Sequence, residues 1–156
     1  MSIAIQMIRE QKMDLSNAAI LLAKLGIAEN DAAIVCWRAK FSTNVLRPIT
    51  YIRAYIDPNW VSLITTPPFP SYTSGHSTFS SAAATILTAE IGDNISFTDS
   101  SKINDGFQPR SFNNFNMAAE EAAASRLYGG IHYGFDNLNG LRCGKLIAGN
   151  VQQLNW

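Results

Sequence analysis

Cysteine and histidine are scarce in this chain: two of each, Cys36, Cys143, His76 and His132, among 156 residues. So few thiols and imidazoles, with no metal-type spacing between them, argue against a zinc cluster, a redox pair or a disulfide framework, and both cysteines are expected as buried free thiols. Excess charge of either sign is also missing, since 12 Lys and Arg balance 12 Asp and Glu. No broad basic field is on offer to nucleic acid or to a membrane surface, so an anionic partner has to be met by a local cluster. Long apolar runs are missing too. The opening "MSIAIQMIREQKMDLS" holds no core of signal-peptide length, and no later stretch approaches a membrane span. The chain is therefore expected to be soluble and to have no membrane partner. Its native compartment stays open, a periplasmic or secreted full-length parent included.

What is present is apolar content of 47%, enough for one domain with a real core, taken as residues 1–156. The fold class is all-α, a helical bundle, with a short strand pair near 95–98. Residues 15–25, "LSNAAILLAKL", and 29–46, "ENDAAIVCWRAKFSTNVL", read as a helical hairpin broken at Gly26. Prolines and turn pairs make 49–73 an ordered irregular loop. A helix from Thr78 to Ile91 follows, with Ser77 and Thr78 as caps. The polar connection 92–114 carries Phe97, Phe107 and Phe112, which suggests that it packs on the domain. "FNMAAEEAAASRLY" and "NLNGLRCGKLIAGNVQQL" are the last two helices, separated by "GGIHYGFD".

Both histidines sit at breaks between helices. In "PPFPSYTSGHSTFSS" the Ser-Gly-His triplet, Ser74, Gly75 and His76, comes just before a helical run, where backbone N–H groups and the helix dipole favour an anion. In "SRLYGGIHYGFD", Arg126 precedes a glycine pair, His132 follows it and Asp136 stands four residues on. With helical backbone from His132, Asp136 reaches the imidazole, fixes its tautomer and frees the other nitrogen as nucleophile or ligand. Lys40 and Arg47 in "KFSTNVLRP" are seven apart and would share one helix face without a local acid. Each feature alone has a bland reading: a solvated face, a chance triplet, a helix-start hydrogen bond. Their joint occurrence in three compact blocks is harder to dismiss.

Those blocks resemble the three-part signature Lys-x6-Arg-Pro, Pro-Ser-Gly-His and Ser-Arg-x5-His-x3-Asp of the superfamily joining type-2 phosphatidic-acid phosphatases, bacterial non-specific acid phosphatases and vanadium-dependent haloperoxidases. The flanks "RPITYIR" and "RSFNNFNMAAEEAAASRLYGGIHYGFDN" are similar to the soluble bacterial haloperoxidase branch, and the resemblance runs from about Ala28 to Val151. Thr73 replaces the usual proline. The chain is also short for that branch, so it is expected to be a C-terminal, site-bearing portion or a minimal relative.

The resemblance implies that Lys40, Arg47 and Arg126, with the Ser74 hydroxyl and the Gly75 N–H, bind a tetrahedral oxyanion. In the haloperoxidase version the cofactor is vanadate with His132 as its one protein ligand. Lys40 then polarises bound peroxide, which a halide attacks. In the phosphatase version no cofactor is needed: His132 attacks phosphorus, Asp136 orients it, and His76 protonates the leaving oxygen of a phosphomonoester and then activates water. The haloperoxidase-like enzyme is the leading expectation and acid phosphatase the alternative. A non-catalytic helical remnant or interaction module is the alternative from another class. Small-molecule substrates are expected, with no nucleic acid, and apolar helix faces point to a homo-oligomer.

Overall fold

The structure is a computed structural model that describes residues 1–155. Its described residues form six α-helices and a two-stranded antiparallel hairpin. The helices are α1 (Ser2–Glu10), α2 (Leu15–Thr43), α3 (Pro48–Tyr55), α4 (Gly75–Ile91), α5 (Phe115–Tyr128) and α6 (Gly134–Gln152). Strands β1 (Phe97–Asp99) and β2 (Arg110–Phe112) pair in register Phe97 to Phe112 and lie between α4 and α5 in the chain. The all-α expectation holds, and the hairpin sits close to where a strand pair was expected. Among the described residues no helix is long and apolar enough to cross a membrane.

Four local expectations are corrected. The segments on either side of Gly26 form one continuous helix, because the buried side chains Leu21, Leu25, Ala28, Ala32, Cys36 and Lys40 follow one another in steps of three or four. That stripe is uninterrupted, and packing it outweighs the roughly 1 kcal/mol a helical glycine costs. Second, α2 ends at Thr43 on a left-handed Asn44, so Arg47 lies outside it as the N-cap residue of α3. Lys40 and Arg47 therefore do not share a helix face. Third, α3 occupies the start of the supposed loop; Pro48 stands in its first turn, where a missing N–H costs nothing. Fourth, α4 begins at Gly75 and its cap is Ser74, whose Oγ accepts the Ser77 N–H. Thr78 instead donates its hydroxyl back to the Ser74 carbonyl at 2.9 Å.

Helix α1 adds an element to those expected, burying Ala4 and Met7 one turn apart against the core. Both cysteines are free, but only Cys36 is buried; Cys143 is partly exposed. In the connection 92–114, Phe97 is buried against Phe112 and Phe115, with ring centroids 5.5 and 5.1 Å apart. Phe107 does not join them and is 65% exposed.

Helix α4 is central and packs on α6, α5 and α2. Its seam with α6 is unusually close. A Cβ on Gly144 would lie 2.3 Å from the Thr78 carbonyl and 2.7 Å from the Ala82 nitrogen, and one on Gly140 would lie 2.9 Å from the Ser74 carbonyl. Two glycines one turn apart thus let the α6 backbone rest on the α4 backbone, which brings the start of each helix beside the other. Each start carries one of the histidine blocks.

Candidate functional site

The Ser-Gly-His triplet opens α4 as N-cap, first and second helical residues. Gly75 therefore presents its N–H among the first-turn donors that lack an intrahelical acceptor. The block 132–136 opens α6, and main chain ties the two starts together: the Ser74 N–H donates to the Asp136 carbonyl at 3.1 Å. The Ser77 hydroxyl adds a bond to Asn137 Oδ1 at 3.2 Å.

His132 is buried, and both of its ring nitrogens have neighbours. Nδ1 lies 2.9 Å from Asp136 Oδ2, and Nε2 lies 3.2 Å from Arg47 Nη1. The carboxylate only accepts and the guanidinium only donates, so the network assigns the proton to Nδ1 and a lone pair to Nε2. Burial lowers the His132 pKa and the nearby Arg47 and Lys40 charges lower it further, outweighing the opposing pull of Asp136. The ring is thus neutral at ordinary pH. The His–Asp contact was expected from a helical offset, but α6 starts only at Gly134. What turns the carboxylate toward His132 is its position in the first turn of α6, where Oδ2 also accepts the Tyr133 N–H at 3.1 Å. Burial pushes the Asp136 carboxyl up, yet the hydrogen bonds from His132, Ser71 and Tyr133 together leave it below its ordinary value.

Arg47 is 6% exposed. Its Nε donates to the Phe69 carbonyl at 2.8 Å and its Nη1 to the Ile131 carbonyl at 2.7 Å. Nη2 is buried without a hydrogen-bond partner among the described residues, and so is Nε of Arg126. Arg126 stands in the last turn of α5. The chain between it and His132 turns at Gly130, where φ is +73° and an added Cβ would lie 2.9 Å from the Trp60 ring, so the position favours glycine.

Lys40 is fully buried, and its ammonium is spent on backbone: it donates to the carbonyls of Pro70, Ser71 and Thr73 at 3.0, 2.9 and 2.6 Å. All three N–H groups are in use. Lys40 has no acidic ion-pair partner among the described residues, but its ammonium is not free, because its acceptors are main-chain atoms that no side-chain pattern reveals. Burial holds its pKa down to about 8. The Phe69 ring packs against both cations, 5.3 Å from Lys40 Nζ and 5.1 Å from Arg47 Cζ.

His76 differs from His132 in being open to solvent. Partial burial of the ring, then the charge of Arg126, lowers its pKa. The Arg126 charge also helps to lower the Arg47 pKa, after burial. Residues from all three blocks therefore converge on one place. Ser71, which the sequence reading does not single out, belongs there as well: its hydroxyl donates to Asp136 Oδ2 at 2.5 Å.

The partnerless N–H groups of Arg47, beside the neutral imidazole, and of Arg126 are donors suited to an anion. Among the described residues no group of three or more His, Cys, Asp or Glu side chains is placed to hold a metal cation. The family model described as the VCPO second helical-bundle domain matches residues 20–155. The chain belongs to that family. A bacterial vanadium-dependent iodoperoxidase of known structure superposes with a TM-score of 0.95 at 42% identity, covering 98% of this chain and 38% of its own. The holo form of a bacterial vanadium-dependent chloroperoxidase shares the fold with a TM-score of 0.78 at 16% identity, over 97% of this chain and 39% of its own. An apo form of such a chloroperoxidase gives 0.65 at 17% identity, over 79% and 33%. The chain thus spans less than half the length of the solved proteins it is similar to. No curated protein matches it.

Proposed function

We propose that this chain is the vanadate-binding portion of a haloperoxidase-type enzyme. The observation that carries the reading is a pair of buried, partnerless N–H groups: Arg47 Nη2, on the guanidinium that meets the His132 imidazole at its lone-pair nitrogen Nε2, and Arg126 Nε, on a guanidinium whose charge acts on Arg47 and His76. Leaving such donors unsatisfied costs about 1–3 kcal/mol each, a cost that an oxyanion between them removes. Vanadate fits this set: Arg47, Arg126, the Ser74 hydroxyl and the Gly75 N–H would hold its oxygens, and His132 Nε2 would be the protein ligand. When bound, it supplies activation of peroxide toward a halide. For Nε2 to serve, Arg47 Nη1 has to give up its 3.2 Å contact with that nitrogen and turn its donors to the anion.

The remaining roles belong to the chain itself. Asp136 holds the Nδ1 proton and so keeps Nε2 free. Lys40 contributes positive charge from behind the 70–73 segment, without an N–H to spare in this arrangement. His76, open to solvent and with a lowered pKa, is placed to accept and return a proton at the rim. Substrates would be small: peroxide and halide. Exposed Ile34, Trp37 and Phe41 on α2 support association with further protein, a second copy included.

The test is vanadate titration of the wild-type chain and of His132→Ala, followed by peroxide-dependent halide oxidation and by hydrolysis of an activated phosphomonoester. The proposal expects binding that His132→Ala removes, with halide oxidation in the loaded protein. Hydrolysis by the vanadate-free chain, inhibited competitively by vanadate, would instead establish the acid phosphatase chemistry. No binding at all would leave a helical module without a working site.

A further inference from the structure

We propose that Ser71 is a positioning residue for His132: held by the grip of Lys40 on segment 70–73, its hydroxyl pins the Asp136 carboxylate so that the imidazole keeps its proton on Nδ1 and offers a bare Nε2 to the cradle. The purpose of that bare nitrogen rests on the function proposed above. The geometry of the pin does not.

Ser71 is fully buried and fixed through its backbone on both sides. Its N–H donates to the Val45 carbonyl at 2.9 Å, and its own carbonyl accepts from Lys40 Nζ at 2.9 Å. The neighbouring Pro70 and Thr73 carbonyls take the other two Lys40 protons, and the Phe69 carbonyl takes Arg47 Nε. The two cations of the first block therefore clamp the strap that carries Ser71. The single hydroxyl proton has two candidate acceptors, Asp136 Oδ2 and His132 Nδ1, the latter at 3.3 Å. The carboxylate is the nearer and the charged one, so it receives the proton.

Asp136 Oδ2 then collects three donors, the Ser71 hydroxyl, His132 Nδ1–H and the Tyr133 N–H, while buried Oδ1 has none among the described residues. Two of those donors lie within the 132–136 block and move with it. Ser71 is the donor that comes from elsewhere, so it sets the carboxylate, and through it the ring, against the rest of the site. Without the hydroxyl, Asp136 can turn toward the orphaned Oδ1 arrangement. The Nδ1 proton then loses its fixed acceptor and only the Arg47 contact at Nε2 still opposes the other tautomer, so the share of that tautomer rises, and a proton that reaches Nε2 blocks it as a ligand.

The experiment uses the whole chain, labelled at the histidine ring nitrogens, as wild type, Ser71→Ala and Ser71→Thr. NMR spectra are taken without vanadate, above the ordinary histidine titration range, and vanadate affinity is then measured on the same samples. The wild type should show His132 protonated at Nδ1 and bare at Nε2. Ser71→Ala should shift both resonances toward a tautomer mixture and weaken vanadate binding by about tenfold, the lower end of what such supporting residues cost. Ser71→Thr, which keeps the hydroxyl, should restore both. A folded Ser71→Ala with unchanged tautomer signature and affinity would overturn the proposal. Should that variant fail to fold, a wild-type His132 protonated at Nε2 would overturn it equally. A tautomer shift in Ser71→Ala alongside a wild type that binds no vanadate upholds the role of Ser71 and counts against the function proposed above.

Discussion

The two histidines sit at the starts of adjacent helices, yet their surroundings are opposite, as the proposed roles of ligand and proton carrier require. His132 is buried, met at Nδ1 by Asp136 and at Nε2 by Arg47, and backed by Ser71. His76 is open to solvent, with no hydrogen bond to its ring among the described residues, and partial burial and the charge of Arg126 lower its pKa. A ligand benefits from being fixed, because every ångström of wander weakens the bond it makes. A proton carrier benefits from freedom and from contact with water. One imidazole has a fixed tautomer and the other has contact with solvent.

The largest effects should come from exchanging these duties. His132→Ala should remove detectable vanadate binding, whereas His76→Ala should leave binding nearly intact and lower turnover about 10²-fold, the usual contribution of a positioned acid or base. Equal loss of binding in both variants, measured by titration, would break the distinction.

Next in size is the seam that brings the two histidines together. Gly144→Ala should cost about 3 kcal/mol in denaturant unfolding, the upper end for overpacking, because the atoms its Cβ meets are the backbone of α4 and cannot turn aside. A loss below about 1 kcal/mol would show that the helices can part at little cost.

A smaller effect concerns charge. With the Lys40 pKa at about 8, the ammonium is protonated below that value and favours an anion nearby. Affinity should therefore fall as pH rises through this region, by about 1 kcal/mol at the spacing of charges separated by a loop. Lys40→Met should weaken binding and flatten the step. A step of the opposite sign, or one that persists in Lys40→Met, would assign it elsewhere.

The smallest concerns a glycine that packs against nothing. Around Gly26 no atom lies within 4 Å of an added Cβ, so Gly26→Ala should stabilise the chain by about 0.5–1 kcal/mol. A destabilised variant would contradict the continuous α2 helix.

These outcomes also mark what the sequence could tell. The three blocks were legible because their chemistry is local: a hydroxyl, a glycine and a histidine in a row, or a histidine and an aspartate four apart. The fate of Lys40 was not, since its acceptors are the carbonyls of Pro70, Ser71 and Thr73, and backbone has no letter in the sequence. Ser71 is one hydroxyl among many in its neighbourhood, and only the fold places it on Asp136. Gly26 looked like a break because glycine often ends helices; the spacing of Leu21, Leu25, Ala28 and Ala32 carried the opposite message and prevailed. Gly140 and Gly144 were visible as letters, but their use depends on which helix lies opposite. The aromatic connection was read half correctly, with Phe97 and Phe112 paired and Phe107 left outside.

The most direct test of the central claim, that three separated blocks make one cradle with His132 as its ligand, is a vanadate titration of the chain labelled at its histidine ring nitrogens. The His132 Nε2 resonance should move with saturation, Nδ1 should stay protonated toward Asp136, and His76 should respond only weakly. A response confined to His76, or saturation that leaves His132 Nε2 unmoved, would contradict it.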